Sequence, residues 1–292
     1  VSNNLDINIK NLNSIGKNYS EYKSSPQIEL VSLFSFNSSL PLQKIDDNYQ
    51  SYLTPKTSFR FNPSDMKNYS SSDKKITAGN IFSKNRLGFD DTFESGRSLT
   101  LGLDYKIESN ELTDINDYFE MKLATVIRDK KEEHIPTIST IDKKNSNLFG
   151  SIKSKFSDKL DLNYNFALDN DFNKFEYNEF NATFSLNNLV TTFNFIEENG
   201  EMGSTNVFEN SISYSVDENN SLVFKTRRNR KLNLTEYYDL VYEYKNDCLT
   251  AGIQYKKSYY QDRDLKPTEN LLFTLTLIPL TNYEIAADDL VN

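Results

Sequence analysis

The chain contains one cysteine, Cys248, and one histidine, His134, and these are its most obvious candidates for chemistry. A single cysteine cannot form an internal disulfide, so Cys248 is either a free thiol or half of a bridge to a cysteine outside this chain. His134 lies among lysines and glutamates, and no Ser-His-Asp or Cys-His set can be assembled around it. Metal-ligand spacing and glycine-rich phosphate loops are also missing from the sequence. We therefore expect no enzymatic activity, no metal and no cofactor.

The densest charge pattern lies in one short stretch and consists of Arg86, Asp90, Glu94 and Arg97. One interpretation is a salt-bridged structural cluster that orders this segment. The other is a solvated loop face, on which each charged group contacts water separately. The sequence alone leaves both interpretations open.

Composition limits the class of protein. The 292 residues carry a net charge of −9, which argues against a nucleic-acid partner because phosphate binding needs clustered lysines and arginines. Disordered chains are poor in aromatic residues, whereas this chain contains 20 Phe and 18 Tyr. It has no apolar run long enough for a transmembrane helix, but barrel strands carry only a weak alternating signal of about 10 residues each. The start at Val1, without Met or signal peptide, suggests a fragment or a processed product.

Strand patterns recur along the chain, and helical spacing is nearly absent. In the segment 97–106, for example, large apolar residues alternate with small or polar ones, and the segment 160–168 repeats the pattern. We count about 14 such strands. Their connections alternate strictly between short and long over eight turns, as in outer-membrane barrels with short periplasmic turns and longer external loops. The short turns are 157–158, 187–188, 217–220 and 246–247, and the long ones are 169–173, 197–204, 230–234 and 261–268.

The contrast between the polar and apolar faces of these strands indicates that the sheet lies in a membrane. Asp161, Asn163 and Lys225 on the polar faces would be costly to bury unpaired, and the large aromatics on the other faces would be poorly placed in water. A closed sheet with lipid outside and water inside suits both. We predict an all-β, antiparallel transmembrane β-barrel over residues 1–280, followed by a C-terminal tail over 281–292. A soluble sandwich, solenoid or adhesin is the alternative, although 9 Gly and 7 Pro are few for such folds.

Two blocks of sequence carry motifs that are more specific than the strand alternation common to barrels. The first comprises the segments 53–63 (LTPKTSFRFNP) and 80–103 (NIFSKNRLGFDDTFESGRSLTLGL), and the second comprises 242–248 (YEYKNDC), 255–260 (YKKSYY) and the strand 270–280. Together they resemble the C-terminal half of the LptD family, the outer-membrane proteins of lipopolysaccharide assembly. The chain departs from the family pattern at Leu87, where Phe is expected, and at Lys257, where Arg is common. Only one cysteine is present where some relatives carry two adjacent ones.

The resemblance implies a location in the outer membrane of a Gram-negative cell and a barrel of 26 strands, of which this chain would be the C-terminal portion. The family inserts lipopolysaccharide into the outer leaflet through a lateral seam, with acyl chains passing into membrane lipid and sugars outward. A lipoprotein plug of the LptE type and a periplasmic bridge protein of the LptA type are the implied partners. A disulfide from Cys248 to a cysteine outside the chain is also implied, and the short-turn end that carries Cys248 would face the oxidising periplasm.

Within this family, the last predicted strand would form one lip of the seam. Its residues in question are Leu271, Phe273, Leu275, Leu277 and Pro279. Pro279 lacks an N–H, so it either weakens the seam near its periplasmic end or simply ends the strand. Two other functions stay open from the sequence: a passive outer-membrane porin or diffusion channel, and a soluble or surface-attached β-rich binding protein.

Overall fold

The computed structural model describes residues 1–16, 25, 27–110, 118–260, 265–277 and 281–286. These residues form sixteen β-strands and two short 3₁₀ helices, Thr137–Ser139 and Gly200–Met202. Neither helix has the length and apolar character that crossing a membrane requires. The strands are β1 (Ser2–Ser14), β2 (Gln27–Ser39), β3 (Leu42–Ile45), β4 (Tyr49–Asn62), β5 (Gly96–Ser109), β6 (Tyr118–Arg128), β7 (Leu148–Ser157), β8 (Leu160–Leu168), β9 (Phe175–Leu186), β10 (Leu189–Glu198), β11 (Asn206–Ser215), β12 (Asn220–Asn229), β13 (Leu234–Lys245), β14 (Leu249–Ser258), β15 (Thr268–Leu277) and β16 (Thr281–Ala286).

The strands follow one another in a single meander. The pairing order is the chain order from β1 to β16, except that β3 pairs only with β4 and leaves β4 beside β2. Pairs from β1 to β6 and from β10 to β16 are antiparallel. The predicted all-β, antiparallel class is confirmed.

Sixteen strands are described instead of the predicted 14 or so, and two short strands account for the difference. The four-residue β3 is too short to give an alternating signal, and it forms a hairpin with the first residues of β4. Strand β16 pairs with the segment Leu272–Leu277 of β15. The sheet therefore continues past residue 280, where the sequence predicted the start of a tail.

The two faces of the sheet differ in the way that the alternation predicted. On the apolar face, Phe59, Leu99 and Leu101 are exposed in β4 and β5, and Leu240 and Ile253 are exposed in β13 and β14. Residues of opposite parity form the polar face, which is rich in Ser, Thr, Asn, Lys and Arg. Exposed apolar side chains in continuous rows are unusual for a protein surrounded by water and are typical of lipid contact.

The chain divides into two compact units. The first comprises residues 1–154, 164–178 and 198–204, and the second comprises residues 155–163, 179–197 and 205–292. The first unit has a buried core, built from the β4–β5 loop (residues 63–95), the β6–β7 loop (129–147), the 3₁₀ helix Gly200–Met202 and polar-face positions of neighbouring strands. Its members are Met66, Ile76, Ala78, Ile81, Leu87, Phe89, Ala124, Val126, Ile135, Ile141, Phe149, Ala167 and Met202. In the described part of the second unit, Val207 is the one buried apolar side chain.

Candidate functional site

The most organised group of polar side chains in the first unit is an ionic cluster of Arg60, Arg86, Glu94 and Arg128. Arg86 donates to the Glu94 carboxylate through Nε at 2.6 Å and also through Nη2. Arg128 Nη1 donates to Glu94 Oε1 at 2.5 Å. The side chains of Arg86 and Arg128 are 1% exposed and that of Glu94 is 5% exposed. Glu94 is therefore held by two guanidinium groups in a site without water access.

Strand register explains why the arginines converge. Arg60 of β4 lies opposite Ser98 of β5, and Ser98 lies opposite Arg128 of β6. Directly opposed residues on one face have their Cβ atoms roughly 5 Å apart, so Ser98 brings two cationic strand residues to either side of itself. Glu94, two residues before β5, folds back over this row and accepts a hydrogen bond from Ser98 Oγ at 3.1 Å. The loop thus supplies the counter-charge that the strands lack.

Arg60 completes the cluster without a direct hydrogen bond to Glu94. Its Nη1 donates to the backbone carbonyl of Ser83 at 2.8 Å, and its Nη2 donates to that of Lys84. Burial raises the pKa of a carboxyl group, but for Glu94 the charges of Arg86, Arg128 and Arg60 outweigh burial and hold the pKa well below its usual range. The carboxylate stays ionised, and the cluster holds three positive charges against one negative.

The structure brings together two of the four charged residues that the sequence singled out, Arg86 and Glu94. It places Asp90 and Arg97 on the exposed surface, where Arg97 Nε lies 3.5 Å from Asp129. Sequence reasoning did not include Arg60 and Arg128, because both lie on strands that are distant in sequence from Arg86 and Glu94. Arg60 nevertheless lies in the first block of family-like sequence, which was the available signal.

Cys248 lies in the β13–β14 turn, where it is exposed and forms no disulfide within the chain. The turn is closed by Asn246, whose Oδ1 accepts hydrogen bonds from the backbone N–H groups of Cys248 and Leu249 at 3.0 and 2.8 Å. The turns β7–β8, β9–β10 and β11–β12 are at the same end of the meander, as the sequence predicted. A bridge to a cysteine outside the chain stays a prediction.

The predicted seam strand is not the last described strand. Leu271, Phe273, Leu275 and Leu277 alternate on the exposed apolar face of β15, as predicted. However, β15 pairs with β14 on one edge and with β16 on the other. The sequence-based prediction placed the end of the sheet one strand too early. Pro279 itself lies outside the described residues.

The polar face of the second unit carries an open cleft of about 400 Å³ over β10–β13. Its lining residues are Thr192, Asn194, Glu209, Asn210, Ser211, Lys225 and Tyr237. Arg227 Nη1 lies 3.1 Å from Glu209, and its Nε lies 2.7 Å from Glu236. The side chains of Arg227 and Glu209 are 40% and 36% exposed. These charges are solvated, unlike those around Glu94.

A meander of antiparallel strands with an exposed apolar face and a charged opposite face defines an outer-membrane β-barrel protein. The sequence model of the family described as LptD, LPS transport system D, matches residues 4–202. The chain belongs to the LptD family and is an outer-membrane protein of lipopolysaccharide transport. The matched residues include the whole ionic cluster, whereas the second family-like block, with Cys248, lies beyond them.

Two solved structures align with most of this chain at low sequence identity. An engineered triple mutant of the Rhodopseudomonas blastica porin aligns over 98% of this chain and 93% of its own, with 8% identity and a TM-score of 0.37. Acinetobacter baumannii OccAB4 aligns over 97% of this chain and 93% of its own, with 11% identity and a TM-score of 0.26. No curated protein sequence matches the chain. The family assignment comes from the sequence match over residues 4–202.

Proposed function

We propose that this chain is the C-terminal portion of a barrel that inserts lipopolysaccharide into the outer leaflet through a lateral seam, without a chemical step of its own. The observation that carries the proposal is the family match over residues 4–202. The two faces of the sheet support it physically. Lipopolysaccharide joins acyl chains to sugars, so its acyl chains need an apolar surface while its sugars need water. A sheet that is apolar on one face and polar on the other keeps the acyl chains and the sugars on separate sides. A seam in that sheet lets both parts of the molecule move outward together.

We propose that the seam lies at the last strands of the pairing order. Among the described residues, β16 is the last strand in that order and β15 is its neighbour. We therefore assign the lip of the seam to β16, with β15 directly behind it. The complete barrel would have 26 strands, contain a lipoprotein plug of the LptE type and receive lipopolysaccharide from a periplasmic bridge protein of the LptA type.

Two threonines of the polar face provide the test. Thr276 of β15 lies next to the proposed seam, and Thr192 of β10 lies in the polar cleft. A photoreactive amino acid is placed at each position in the full-length protein, and membranes are probed for lipopolysaccharide adducts after illumination. The proposal predicts an adduct at Thr276 that is much stronger than at Thr192. Equal adducts, or none at Thr276, would exclude the seam and favour a passive channel.

We also propose that Cys248 forms a disulfide with a cysteine outside this chain, because its thiol is exposed in a turn at the end assigned to the periplasm. Membranes containing the full-length protein or its Cys248→Ser variant are run on a gel with and without reductant. The disulfide predicts a mobility shift on reduction that the variant lacks. An unchanged mobility in both proteins would identify Cys248 as a free thiol.

A further inference from the structure

The β4–β5 loop lies over the polar face of the two strands that it connects. Arg86 of the loop donates to Thr100 Oγ1 of β5 at 2.9 Å and to Ser98 Oγ at 3.2 Å. Further along β5, a Cβ atom built on Gly102 would lie 2.5 and 2.6 Å from two ring carbons of Phe82, so the ring fills space that only a glycine leaves free. Because Ser98 and Thr100 are at most 3% exposed, the loop excludes bulk water from this part of the face.

The ionic cluster beneath the loop holds more positive charge than negative. The side chains of Arg86 and Arg128 are 1% exposed, and Arg60 is 4% exposed. Among the described residues, Glu94 is the only carboxylate within ion-pair distance of these three guanidinium groups. Glu132 of the β6–β7 loop is half-buried and lies near Arg128, but beyond that distance. Burying a cation is unfavourable unless a counter-charge lies beside it, so the two surplus positive charges of the cluster need further negative charge.

Two buried groups of β4 show where that charge can be bound. Arg60 donates through Nη1 and Nη2 to backbone carbonyls of the loop, but its Nε–H has no hydrogen-bond partner among the described residues. Ser58 lies two residues earlier on the same face of β4 and is fully buried, and its Oγ likewise has no partner in the described part of the chain. The next carboxylate along this face of β5, Asp104, is already paired with Lys56. Both groups of β4 can donate a hydrogen bond, so they are neighbouring donors without an acceptor, which is costly for buried polar groups.

A similar pair of donors lies at the other side of the cluster, beside β6. Arg128 Nη2 donates to the backbone carbonyl of Ser95, while Arg128 Nε and Ser95 Oγ are buried and have no hydrogen-bond partner among the described residues. Glu132 supplies negative charge near this pair, since Arg128 Nη2 and Glu132 Oε2 lie 3.4 and 3.9 Å from the same Cβ position built on Gly96. By contrast, no carboxylate in the described part of the chain forms an ion pair with Arg60. The pair on β4 thus lacks both an acceptor and a counter-charge of its own.

We propose that Ser58 Oγ and Arg60 Nε bind a compact monovalent inorganic anion, such as chloride, beneath the β4–β5 loop. The anion accepts a hydrogen bond from each donor and neutralises one of the two surplus positive charges. The loop and the sheet enclose the site, so an organic anion such as gluconate is too large to enter it. Because the anion binds the folded loop and not the unfolded one, it stabilises the loop increasingly as its concentration rises. The site is independent of the seam and of lipopolysaccharide insertion, so it can be tested apart from the proposed function.

Hydrogen exchange of the purified full-length protein in detergent micelles tests the site. Chloride is replaced stepwise by gluconate at constant pH and ionic strength, and exchange is corrected for the intrinsic rate in each buffer. We expect amides of the loop and of β4 to exchange several-fold more slowly in chloride, with a saturable dependence, and bromide to give the same protection. Strand β12 is the internal control, because the charge of its Arg227 is solvated, and its exchange should not change. Equal exchange in chloride and gluconate, or an equal change in β12, would overturn the anion site.

Two further measurements locate the anion. Ser58→Ala removes one donor and keeps the charge of Arg60, so half-maximal protection should need several-fold more chloride. Ser154→Ala is the matched control, since it changes a buried serine of β7 whose Oγ already donates to the Tyr118 carbonyl at 3.3 Å, and its chloride response should equal that of the wild type. Crystals grown in bromide should show an anomalous peak within hydrogen-bond distance of Ser58 Oγ and Arg60 Nε. An unchanged chloride response in Ser58→Ala, or the absence of that peak, would overturn the assignment, and the peak decides alone if Ser58→Ala does not fold.

Discussion

The polar faces of β4–β6 and of β10–β13 share the same sequence pattern, but their charged side chains differ in exposure to water. In the first, Arg86, Glu94 and Arg128 are at most 5% exposed. In the second, Arg227 and Glu209 form an ion pair while 40% and 36% exposed. The connections account for the difference, because 33 residues join β4 to β5 whereas four join β12 to β13 at the corresponding end of the strands. Alternation thus determines which residues share a face, and loop length determines whether water reaches that face.

The difference in burial has an energetic consequence. Removing one partner from a buried, hydrogen-bonded ion pair leaves the other charge uncompensated, which typically costs about 3–5 kcal/mol. A solvent-exposed pair is screened by water and salt and contributes about 0–1 kcal/mol. The two faces should therefore respond very differently to the same substitution.

The largest expected effect comes from replacing the loop arginine of the cluster. Arg86→Met should destabilise the folded loop by about 3–5 kcal/mol, since Glu94 loses its bidentate partner in a buried site. Arg227→Met is the matched change on the open face and should cost about 1 kcal/mol or less. Hydrogen exchange of the amides in β5 and in β12 measures both opening free energies. Similar losses in the two variants would show that burial does not distinguish the two faces.

Two glycines, one in each unit, allow the same comparison with a smaller expected loss of stability. Gly102→Ala forces the Phe82 ring away from the sheet, and overpacking of this kind typically costs about 1–3 kcal/mol. Gly252 of β14 is the control, because its added Cβ would meet the end of the Thr274 side chain at 2.6 Å, which can rotate away. Gly252→Ala should therefore cost less than Gly102→Ala.

Thermal unfolding checks this prediction in the single variants Gly102→Ala, Gly252→Ala and Phe82→Ala and in the double variant of Gly102 and Phe82. Combining Gly102→Ala with Phe82→Ala removes the clash, so the double variant should lose less than the sum of the two single losses. Additive losses would mean that the Phe82 ring and Gly102 are not in contact.

Much of the fold could be predicted from sequence, because strand alternation is local information. Fourteen strand regions and the turns at the Cys248 end follow from it directly. Strand β3 did not, since four residues carry too little periodicity. Strand β16 was also missed, since its six residues carry little periodicity.

The ionic cluster was only half predictable for a different reason. Arg86 and Glu94 are eight residues apart, so their opposite charges are visible in one segment. Arg60 and Arg128 join them through the register of three strands and the path of a 33-residue loop. Neither the register nor the loop path follows from local pattern, and so the choice between a buried cluster and a solvated surface required the structure.

The pH dependence of the loop separates a buried cluster from a solvated one. The pKa of Glu94 is depressed in the folded state, so its stabilising contribution is complete above the pKa of an unfolded glutamate, about 4.3. That contribution is lost as the pH falls from there toward the lower pKa of the folded state. Hydrogen exchange of β5, corrected for the intrinsic exchange rate at each pH, is the suitable measurement. We expect constant protection of β5 between pH 7 and about pH 5 and a decline only below about pH 4. Loss of protection near neutral pH would mean that Glu94 is protonated with a raised pKa, and the three arginines could not then be its partners in solution.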